Sequence, residues 1–284
     1  MKDVIKTFNT LAEYDRFLQE SPLNSTFQKR CYSIASKYGS EGFCGTKSWE
    51  DATIRMTIGD EESAKKIESA KKGERINTNI RSTYQRPKLQ RKVAGFMPCI
   101  PAYCAGARKN MFTYKKETRI SKTVTIVYNI SALSGVKSTD IARAAFNVLK
   151  AVLKIEASGT RVNFYTSTIA EDSGQYVGSV VKIKDSGQYF NFMKMAYPMV
   201  HPSMQRRQGF RFREVAEGVE SGFADGYGST VESSETLQYV IERNTKIKDA
   251  IYLGFYEVRH DRNEDTILER IKLKASKNKN IILN

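Results

Sequence analysis

The sequence is poor in the side chains that hydrolytic enzymes and secreted proteins use most. Its 284 residues include two histidines, four cysteines and one tryptophan. His201 precedes a proline and His260 follows an apolar segment, and neither lies beside a Gly-x-Ser-x-Gly motif or a Walker loop. The sequence therefore gives little support to hydrolytic catalysis, and it favours a role other than that of an enzyme.

The cysteines are too widely spaced for a compact zinc knuckle. Four residues separate Cys99 from Cys104, and twelve separate Cys31 from Cys44. Because the sequence shows no secretory signal, we expect free thiols rather than disulfides. A zinc site made by the four cysteines is the alternative.

His260, Asp261 and Glu264 form a second small group of metal-ligating residue types. Their closeness in the sequence would suit a small metal site. However, the group follows an apolar segment that predicts a strand, and such positions usually hold solvated turns. We therefore expect a solvated turn here.

Long hydrophobic runs are absent as well. No run approaches the roughly 20 apolar residues that span a bilayer, and no signal-peptide core is present. We therefore expect a soluble, cytoplasmic protein. Residues 3–18 instead predict an amphipathic helix, with Phe8, Leu11, Tyr14 and Leu18 on one stripe.

Acidic residues are scarce in one part of a strongly basic chain. The net charge is +15, and between residues 71 and 122 only Glu74 and Glu117 oppose fourteen lysines and arginines. A segment of this kind attracts polyanions, of which nucleic acid is the usual one. Its cations are interleaved with aromatic residues, whose faces can stack the bases of a single strand.

The predicted nucleic-acid-binding residues come from this segment and from an arginine cluster further along the chain. They are Arg75, Arg81, Tyr84, Arg86, Lys88, Arg91, Lys92, Arg108, Lys109, Lys115, Lys116, Arg206 and Arg207. Arg211 and Arg213 continue the second cluster. The expected partner is RNA or single-stranded DNA. An acidic protein partner and a merely solvated basic surface are the alternatives.

The strongest structural pattern covers residues 122–165. An apolar, β-branched run at residues 123–128 predicts a buried strand, and residues 161–165 predict a second strand. A helical pattern lies between them, with Ser138 or Thr139 as its N-cap and a glycine at its C-terminal end. This order predicts parallel pairing. Ligands of such sheets bind beyond the carboxyl ends of the strands, here at residues 129–137.

Further strand patterns occur at residues 177–183 and 250–258. The motif Asp-Ser-Gly-Gln-Tyr occurs at residues 172–176 and again at residues 185–189, and its composition predicts two similar turns. Four strands with a helix after the first favour an α/β fold, a Rossmann-like three-layer sandwich with a mostly parallel central sheet.

The composition also divides the chain into three regions. We expect an N-terminal helical region at residues 1–73 and a basic connector with an apolar strand at residues 74–121. The α/β core is expected at residues 122–284. The first two regions would then form a helical and extended basic extension of the core.

The loop after the first strand of the core carries a resemblance to a known family. The strand is followed by Asn-Ile-Ser-Ala-Leu-Ser at residues 129–134, and the helix is followed by Gly-Thr-Arg-Val at residues 159–162. This pattern resembles the opening of a von Willebrand factor A domain. The resemblance implies a Rossmann-like sheet, and the family's metal-ion-dependent adhesion site begins Asp-x-Ser-x-Ser at this strand end.

The loop departs from that family's metal-site pattern. Asn129 stands where the family has Asp, Ser131 matches, and Leu133 takes the place of the second Ser, with Ser134 beside it. Because a hard divalent cation prefers charged oxygen ligands, the resemblance implies a degenerate site. Mg²⁺ or Ca²⁺ held by Asn129, Ser131 and Ser134 is one interpretation. A polar loop that caps the helix is the other, and no further cofactor is expected.

A second resemblance concerns residues 93–112, which read Val-Ala-Gly-Phe-Met-Pro-Cys-Ile-Pro-Ala-Tyr-Cys-Ala-Gly-Ala-Arg-Lys-Asn-Met-Phe. This string, ahead of a degenerate von Willebrand-like core, is similar to uncharacterised proteins of bacteriophages and mobile elements. The resemblance implies a viral or prophage source, with the host-cell cytoplasm or the virion as the location.

Three functions follow as hypotheses. The first is a non-enzymatic protein that binds nucleic acid through its basic surface. The second is a structural or protein–protein interaction protein of a virus particle or a host-takeover complex. The third is a metal-dependent enzyme that acts on nucleic acid.

Overall fold

The computed structural model describes residues 2–30, 34–69, 89–114, 123–133, 135–220, 227–261 and 263–277. Its strands are β1 Val4–Phe8, β2 Leu89–Lys92, β3 Met97–Pro98, β4 Met111–Tyr114, β5 Thr123–Asn129, β6 Arg161–Ser167, β7 Ala170–Asp172, β8 Gln175–Lys184, β9 Ser229–Thr230 and β10 Ile251–Gly254.

The helices lie between and after the strands along the chain. They are α1 Leu11–Glu20, α2 Ser25–Arg30, α3 Ala35–Tyr38, α4 Glu41–Cys44, α5 Trp49–Ile58, α6 Glu61–Ser69, α7 Ile100–Cys104, α8 Ser138–Ala157, α9 Phe192–Val200, α10 Phe210–Val215, α11 Ser234–Asn244, α12 Phe255–Val258 and α13 Glu264–Lys277. A π-helix, Met204–Gly209, leads directly into α10. Within the described ranges, no helix is long and apolar enough to cross a membrane.

A seven-stranded mixed sheet forms the centre of the fold, with strand order β10-β5-β6-β8-β7-β9 and β1 paired with β8. β5 is parallel to both β6 and β10, and α8 connects β5 to β6. The strand–helix–strand unit predicted from the sequence is therefore confirmed. The fold is mixed α/β, and the strands at the middle of its sheet are mostly parallel.

The third predicted strand is present as β8, but it runs antiparallel to β6. The first copy of the repeated motif explains this, because it closes a two-residue hairpin between β7 and β8. Ser173 and Gly174 adopt positive φ angles of 52° and 80°, as the tight turn of such a hairpin requires. The second copy forms a turn after β8, in which the Gly187 N–H donates to Asp185 Oδ1 at 2.9 Å. Both copies are therefore turns, as predicted.

The N-terminus corrects one prediction. Residues 3–18 do not form a single helix, because β1 occupies Val4–Phe8 and the helix begins only at Leu11. The Glu13 N–H donates to Thr10 Oγ1 at 3.0 Å, so Thr10 caps the helix and separates it from the strand. β1 pairs in parallel with β8, so the region predicted to be helical supplies a strand to the central sheet. The division of the chain into three regions stays a prediction.

The end of one further strand and the start of one helix differ from those predicted from the sequence. The strand predicted at residues 250–258 ends at Gly254, where α12 begins. The N-cap of α8 is Lys137 rather than Ser138 or Thr139, and no side chain caps this helix end. The glycine predicted to end this helix, Gly159, has a φ of +94°, in the left-handed region, as expected.

Apolar side chains cover both faces of the central sheet. On one face, Ile126 and Phe164 belong to the core cluster that contains the apolar side of α8. On the other face, Val127 and Tyr252 pack with Leu237 of α11. The alternation along β5 therefore fixes which face each side chain joins.

The described part of the basic connector forms a separate three-stranded antiparallel sheet, in the order β2-β4-β3. The apolar composition of residues 95–112, with Pro98 and Pro101, predicts an extended strand followed by a tight turn at residues 105–107. The turn is there, but α7 occupies Ile100–Cys104, because Pro101 suits the first turn of a helix. None of the described side chains of this small sheet or of α7 belongs to either apolar core cluster.

Candidate functional site

A cleft of about 300 Å³, here called the edge cleft, opens where β5 and β6 end. Its polar lining comes from four separate segments of the chain. The side chains are those of Ser131, Thr168, Gln205, Arg206, Arg213 and Thr230. The position agrees with the general rule that ligands of parallel sheets bind beyond the carboxyl ends of the strands.

Asn129, at the end of β5, is completely buried and ties neighbouring segments together. Its Nδ2 donates to the Val231 carbonyl at 3.2 Å, and its Oδ1 accepts from the Ser167 hydroxyl at 3.3 Å. Ser131 lines the edge cleft, and Ser134 lies outside the described residues. Among the residues that the structure describes, no group of three or more His, Cys, Asp or Glu could hold a metal ion. A cation held by Asn129, Ser131 and Ser134 stays a prediction.

The loop after β5 is held by side chains from distant segments. The Ala132 N–H donates to Gln205 Oε1 at 3.0 Å, and the Leu133 N–H donates to the Tyr256 hydroxyl at 2.9 Å. The first bond connects the loop to the π-helix. The floor of the edge cleft is therefore fixed by hydrogen bonds to its backbone.

The arginine cluster at residues 206–213 lies on the π-helix and α10, but its members have different environments. Arg207 is fully buried. Its guanidinium donates to Thr46 Oγ1 at 2.6 Å and to the Thr46 carbonyl at 2.7 Å. It also donates to the carbonyls of Ser36, Lys37 and Gly39 at 3.0, 3.2 and 3.2 Å. Arg207 was predicted to contact nucleic acid, but its burial leaves it no access to such a partner.

Arg211 is also a structural residue. It is buried, and it donates to the carbonyls of Leu18 and Ser21 at 3.1 and 3.2 Å. Its Nη1 lies 3.7 Å from the carboxylate of Glu214. This arginine connects α10 to the end of α1 and has its charge balanced by a buried acid.

Arg213 has far fewer partners, although it is just as buried, with 5% of the residue exposed. Its guanidinium makes one hydrogen bond in the described part of the chain, to the Val177 carbonyl at 3.2 Å. No described carboxylate lies within 4.0 Å of it. Burial lowers the pKa of this guanidinium to about 10, against the opposing effect of Asp172. The side chain lines the edge cleft.

Arg206 and three aromatic rings form the outer wall of the edge cleft. The Arg206 guanidinium lies 4.6 Å from the centre of the Phe43 ring, a cation–π distance. The rings of Phe210 and Tyr227 stack with centroids 3.8 Å apart and planes 6° apart. The Tyr227 hydroxyl donates to Glu214 at 2.7 Å, which holds this ring in place.

The small sheet and the segments that connect its strands carry the second candidate site, here called the small-sheet surface. It consists of the cations Arg91, Lys92, Arg108 and Lys109 and the rings Phe96 and Tyr103, all exposed. No acidic residue occurs between residues 89 and 114. Its cations are therefore not opposed by any acid of the same segment.

The structure describes six of the thirteen predicted nucleic-acid-binding residues. Four of the six belong to the small-sheet surface, and Arg206 lies at the edge cleft. The others lie outside the described residues: Arg75, Arg81, Tyr84, Arg86, Lys88, Lys115 and Lys116. Sequence reasoning missed Thr168, Thr230, Phe210 and Tyr227, since no local pattern in the sequence marks these positions.

The other residues considered as metal ligands form ion pairs or are free thiols. Arg270 donates to both carboxylate oxygens of Asp261, at 3.0 and 2.8 Å. Glu264 pairs with Lys150 at 2.9 Å and Lys154 at 3.2 Å. His260 lies exposed in a turn, as expected, but both acids are buried, so the expectation of solvated positions was wrong for Asp261 and Glu264. Of the described cysteines, Cys44, Cys99 and Cys104 are free thiols, and Cys31 lies outside the described residues.

Because His201 is buried, we expect the folded protein to lose stability as the pH falls. Desolvation by burial lowers its pKa from its usual 6.5 to about 4, with Asp60 opposing the shift. The Ser203 N–H donates to its Nδ1 at 3.2 Å, which requires the neutral ring. As the pH falls below 6.5, the unfolded state takes up a proton that the folded state does not, so stability is lost. Between about pH 7.5 and about pH 5 this loss amounts to roughly 2 kcal/mol.

Urea unfolding followed by the fluorescence of Trp49, the only tryptophan, measures this loss. The control is His201→Asn, whose side-chain oxygen can replace Nδ1 as the acceptor but does not titrate. We expect the variant to lose about 2 kcal/mol less than the unmodified protein over the same pH range. An equal loss in the two proteins would assign the acid sensitivity to other groups.

Comparison with family models gives a match over most of the chain. The model of a family described as Domain of unknown function (DUF7192) matches residues 2–275, which include the small sheet and the edge cleft. No curated protein and no solved structure matches the chain. Because the match covers far more than half of its length, the chain belongs to the DUF7192 family.

Proposed function

We propose that this protein is a non-enzymatic nucleic-acid-binding protein and that its small-sheet surface contacts the nucleic acid. The observation that carries the proposal is the exposure of four cations and two aromatic rings on a segment without acidic residues. Lysine and arginine bind phosphates, and exposed rings stack on the bases of RNA or single-stranded DNA. Arg91 lies opposite Phe112 across the strand pair, so a cation and a ring share one face of the sheet.

The test is the binding of single-stranded RNA and DNA oligonucleotides to the full chain as a function of salt concentration. If all four cations contact phosphates, affinity falls roughly 50-fold between 50 and 200 mM salt. Reversing them together, with Arg91→Glu, Lys92→Glu, Arg108→Glu and Lys109→Glu, should cost at least about tenfold in affinity at the lower salt concentration and flatten the salt dependence.

The matched control reverses four exposed lysines elsewhere on the chain: Lys194→Glu, Lys246→Glu, Lys248→Glu and Lys272→Glu. Both variants lower the net charge by the same amount from +15, so only the position of the charges differs. We expect the control to keep most of its affinity. Binding that is absent, insensitive to salt, or equally weakened in both variants would overturn the proposal.

A protein partner is the second candidate function, and one observation favours it. The small sheet and α7 also expose the aliphatic side chains Leu89, Val93 and Ile100, at 49%, 62% and 69%. Contiguous apolar exposure marks protein interaction sites. In that case an acidic protein of a virus particle or host-takeover complex would meet the cations. Co-purification followed by mass spectrometry separates the two candidates, since recovery of nucleic acid alone counts against this one.

We also propose that the central sheet and the helices packed on it form a Rossmann-like three-layer sandwich related to von Willebrand factor A domains. The β5–α8–β6 unit and the apolar packing on both faces of the central sheet support this relationship. A cytoplasmic location and a bacteriophage or mobile-element source belong to the same proposal, and both rest on the sequence alone. An experimental structure of the full chain tests the fold.

A further inference from the structure

The three buried arginines of the cluster differ in how many acceptors they have. Arg207 has five hydrogen bonds, and Arg211 has two together with a carboxylate partner. Arg213 has a single carbonyl acceptor among the residues that the structure describes. A guanidinium carries five N–H donors, and burying a charge without partners is costly. Arg213 therefore has donors available for a group that enters the edge cleft.

The surroundings of Arg213 leave room for such a group. Gly228 has a φ of +81°, and a Cβ at this position would lie 3.1 Å from Nη1 of Arg213. It would also lie 2.7 Å from the Glu171 carbonyl oxygen and 3.0 Å from Cβ of Asp172, so only a glycine fits here, and a larger residue would cover this side of the guanidinium. Ser131, Thr168 and Thr230 place hydroxyl groups on the same lining, and these can donate to an anion.

The cleft is larger than an inorganic anion needs. Its volume of about 300 Å³ and its aromatic wall, formed by Phe210 and Tyr227, offer space and a π-face beside the cationic end. Arg206 supplies a second positive charge at the rim. The π-helix that carries Arg206 is a rare geometry, which occurs frequently at functional sites.

We propose that the edge cleft binds a nucleoside 5′-phosphate, with the phosphate at Arg213 and the base against the Phe210–Tyr227 wall. Phosphate oxygens supply the acceptors that this buried guanidinium lacks, and guanidinium–phosphate pairs are among the strong hydrogen bonds of proteins. The nucleotide is either free or the 5′ end of a strand. The inference goes beyond the proposed function, since none of its residues belongs to the small-sheet surface.

Calorimetric titration of the full chain with the four nucleoside 5′-monophosphates tests the inference, with adenosine, ribose 5-phosphate and inorganic phosphate as comparison probes. We expect at least one monophosphate to bind and adenosine to bind at least tenfold more weakly. Ribose 5-phosphate and inorganic phosphate should also bind more weakly than that monophosphate. No binding of any monophosphate at millimolar concentration, or equal binding of adenosine, would overturn the inference.

Two variants assign the contacts. Arg213→Met keeps the length of the side chain and should weaken monophosphate binding at least tenfold, with Arg143→Met as the control, since Arg143 lies exposed on α8. Phe210→Leu leaves the charges in place and should reduce monophosphate affinity to that of ribose 5-phosphate. The Trp49 unfolding transition verifies that each variant is folded. Unchanged affinity in folded Arg213→Met, or in both variants, would contradict the assignment.

A final titration separates the two sources of the nucleotide and keeps the two proposals apart. It uses the protein with the four reversed charges of the small-sheet surface, and it compares an oligonucleotide bearing a 5′-phosphate with one bearing a 5′-hydroxyl. A preference for the phosphorylated strand assigns the site to strand ends, and binding of monophosphates alone assigns it to free nucleotides. Failure of the small-sheet surface to bind nucleic acid leaves both of these results measurable.

Discussion

Replacing Arg207 by methionine is expected to lower the free energy of unfolding by about 4 kcal/mol or more, because several buried acceptors would lose their donor. Four of these acceptors are the backbone carbonyls of Ser36, Lys37, Gly39 and Thr46. A buried acceptor without a partner costs about 1–3 kcal/mol. Methionine fills much of the volume, so the loss measures missing hydrogen bonds rather than a cavity.

Urea unfolding of the two proteins, followed by Trp49 fluorescence, gives the difference. Arg143→Met is the matched control, because Arg143 is 46% exposed and pairs only with Asp140 in the described structure. Its loss should stay within about 0.5 kcal/mol. A loss below about 1 kcal/mol for Arg207→Met would mean that water replaces the guanidinium at little cost. Arg207→Met should also lose nucleotide binding, since Gln205 and Arg206 lie on the same π-helix.

Breaking the buried ion pair between Lys184 and Glu156 is expected to cause the second large loss of unfolding free energy. The two charged groups lie 2.6 Å apart, with side-chain exposures of 1% and 8%. The Lys184 ammonium also donates to the carbonyls of Val162 and Asp185, each at 3.2 Å. The pair therefore connects the end of β8 to the end of α8 and the start of β6. Lys184→Met should cost about 3–5 kcal/mol, because it leaves a buried carboxylate without its cation.

A double variant separates the charge from the packing. Glu156→Gln combined with Lys184→Met removes both charges, and the amide oxygen still accepts the Val162 N–H that the carboxylate binds at 3.3 Å. We expect the double variant to recover most of the loss, to within about 1–2 kcal/mol of the unmodified protein. Lys272→Met, at an exposed position, is the control. A double variant as unstable as Lys184→Met would show that packing of the lysine stem sets the cost.

The strand–helix–strand unit was predictable because its information is local. The apolar run of β5, the helical period of α8 and the turn at Gly159 each lie within a short window, and the structure has all three. The repeated turn motif was equally local. Its consequence, an antiparallel β8, followed from the hairpin that the first copy closes.

The N-terminal strand was not predictable in the same way. Phe8, Leu11, Tyr14 and Leu18 have helical spacing, yet Phe8 belongs to β1 and only the last three lie on α1. The strand forms because it pairs with β8, far away in the sequence, and no window around Phe8 contains that partner. Pairing with a distant strand overrode the local pattern.

The edge cleft could not be predicted from the sequence, for a related reason. Arg207 and Arg213 are the same residue type in one cluster, and what separates them is the set of acceptors that other segments bring. Thr46 reaches Arg207 across the fold, whereas Arg213 has only the Val177 carbonyl as an acceptor in the described part of the chain. Charge and composition predict that the cluster is basic. They do not predict which arginine is satisfied by the protein itself.

The pairing of β1 with β8 has a consequence for synthesis on the ribosome. Val4 leaves the exit tunnel well before its partner Val177, because the segment between them must be synthesised first. At translation rates of about 5–20 residues per second, the first strand waits roughly 10–35 s for the second. During that time its β-branched side chains stay uncovered, so the nascent chain has an interval in which a chaperone can engage it before the sheet closes.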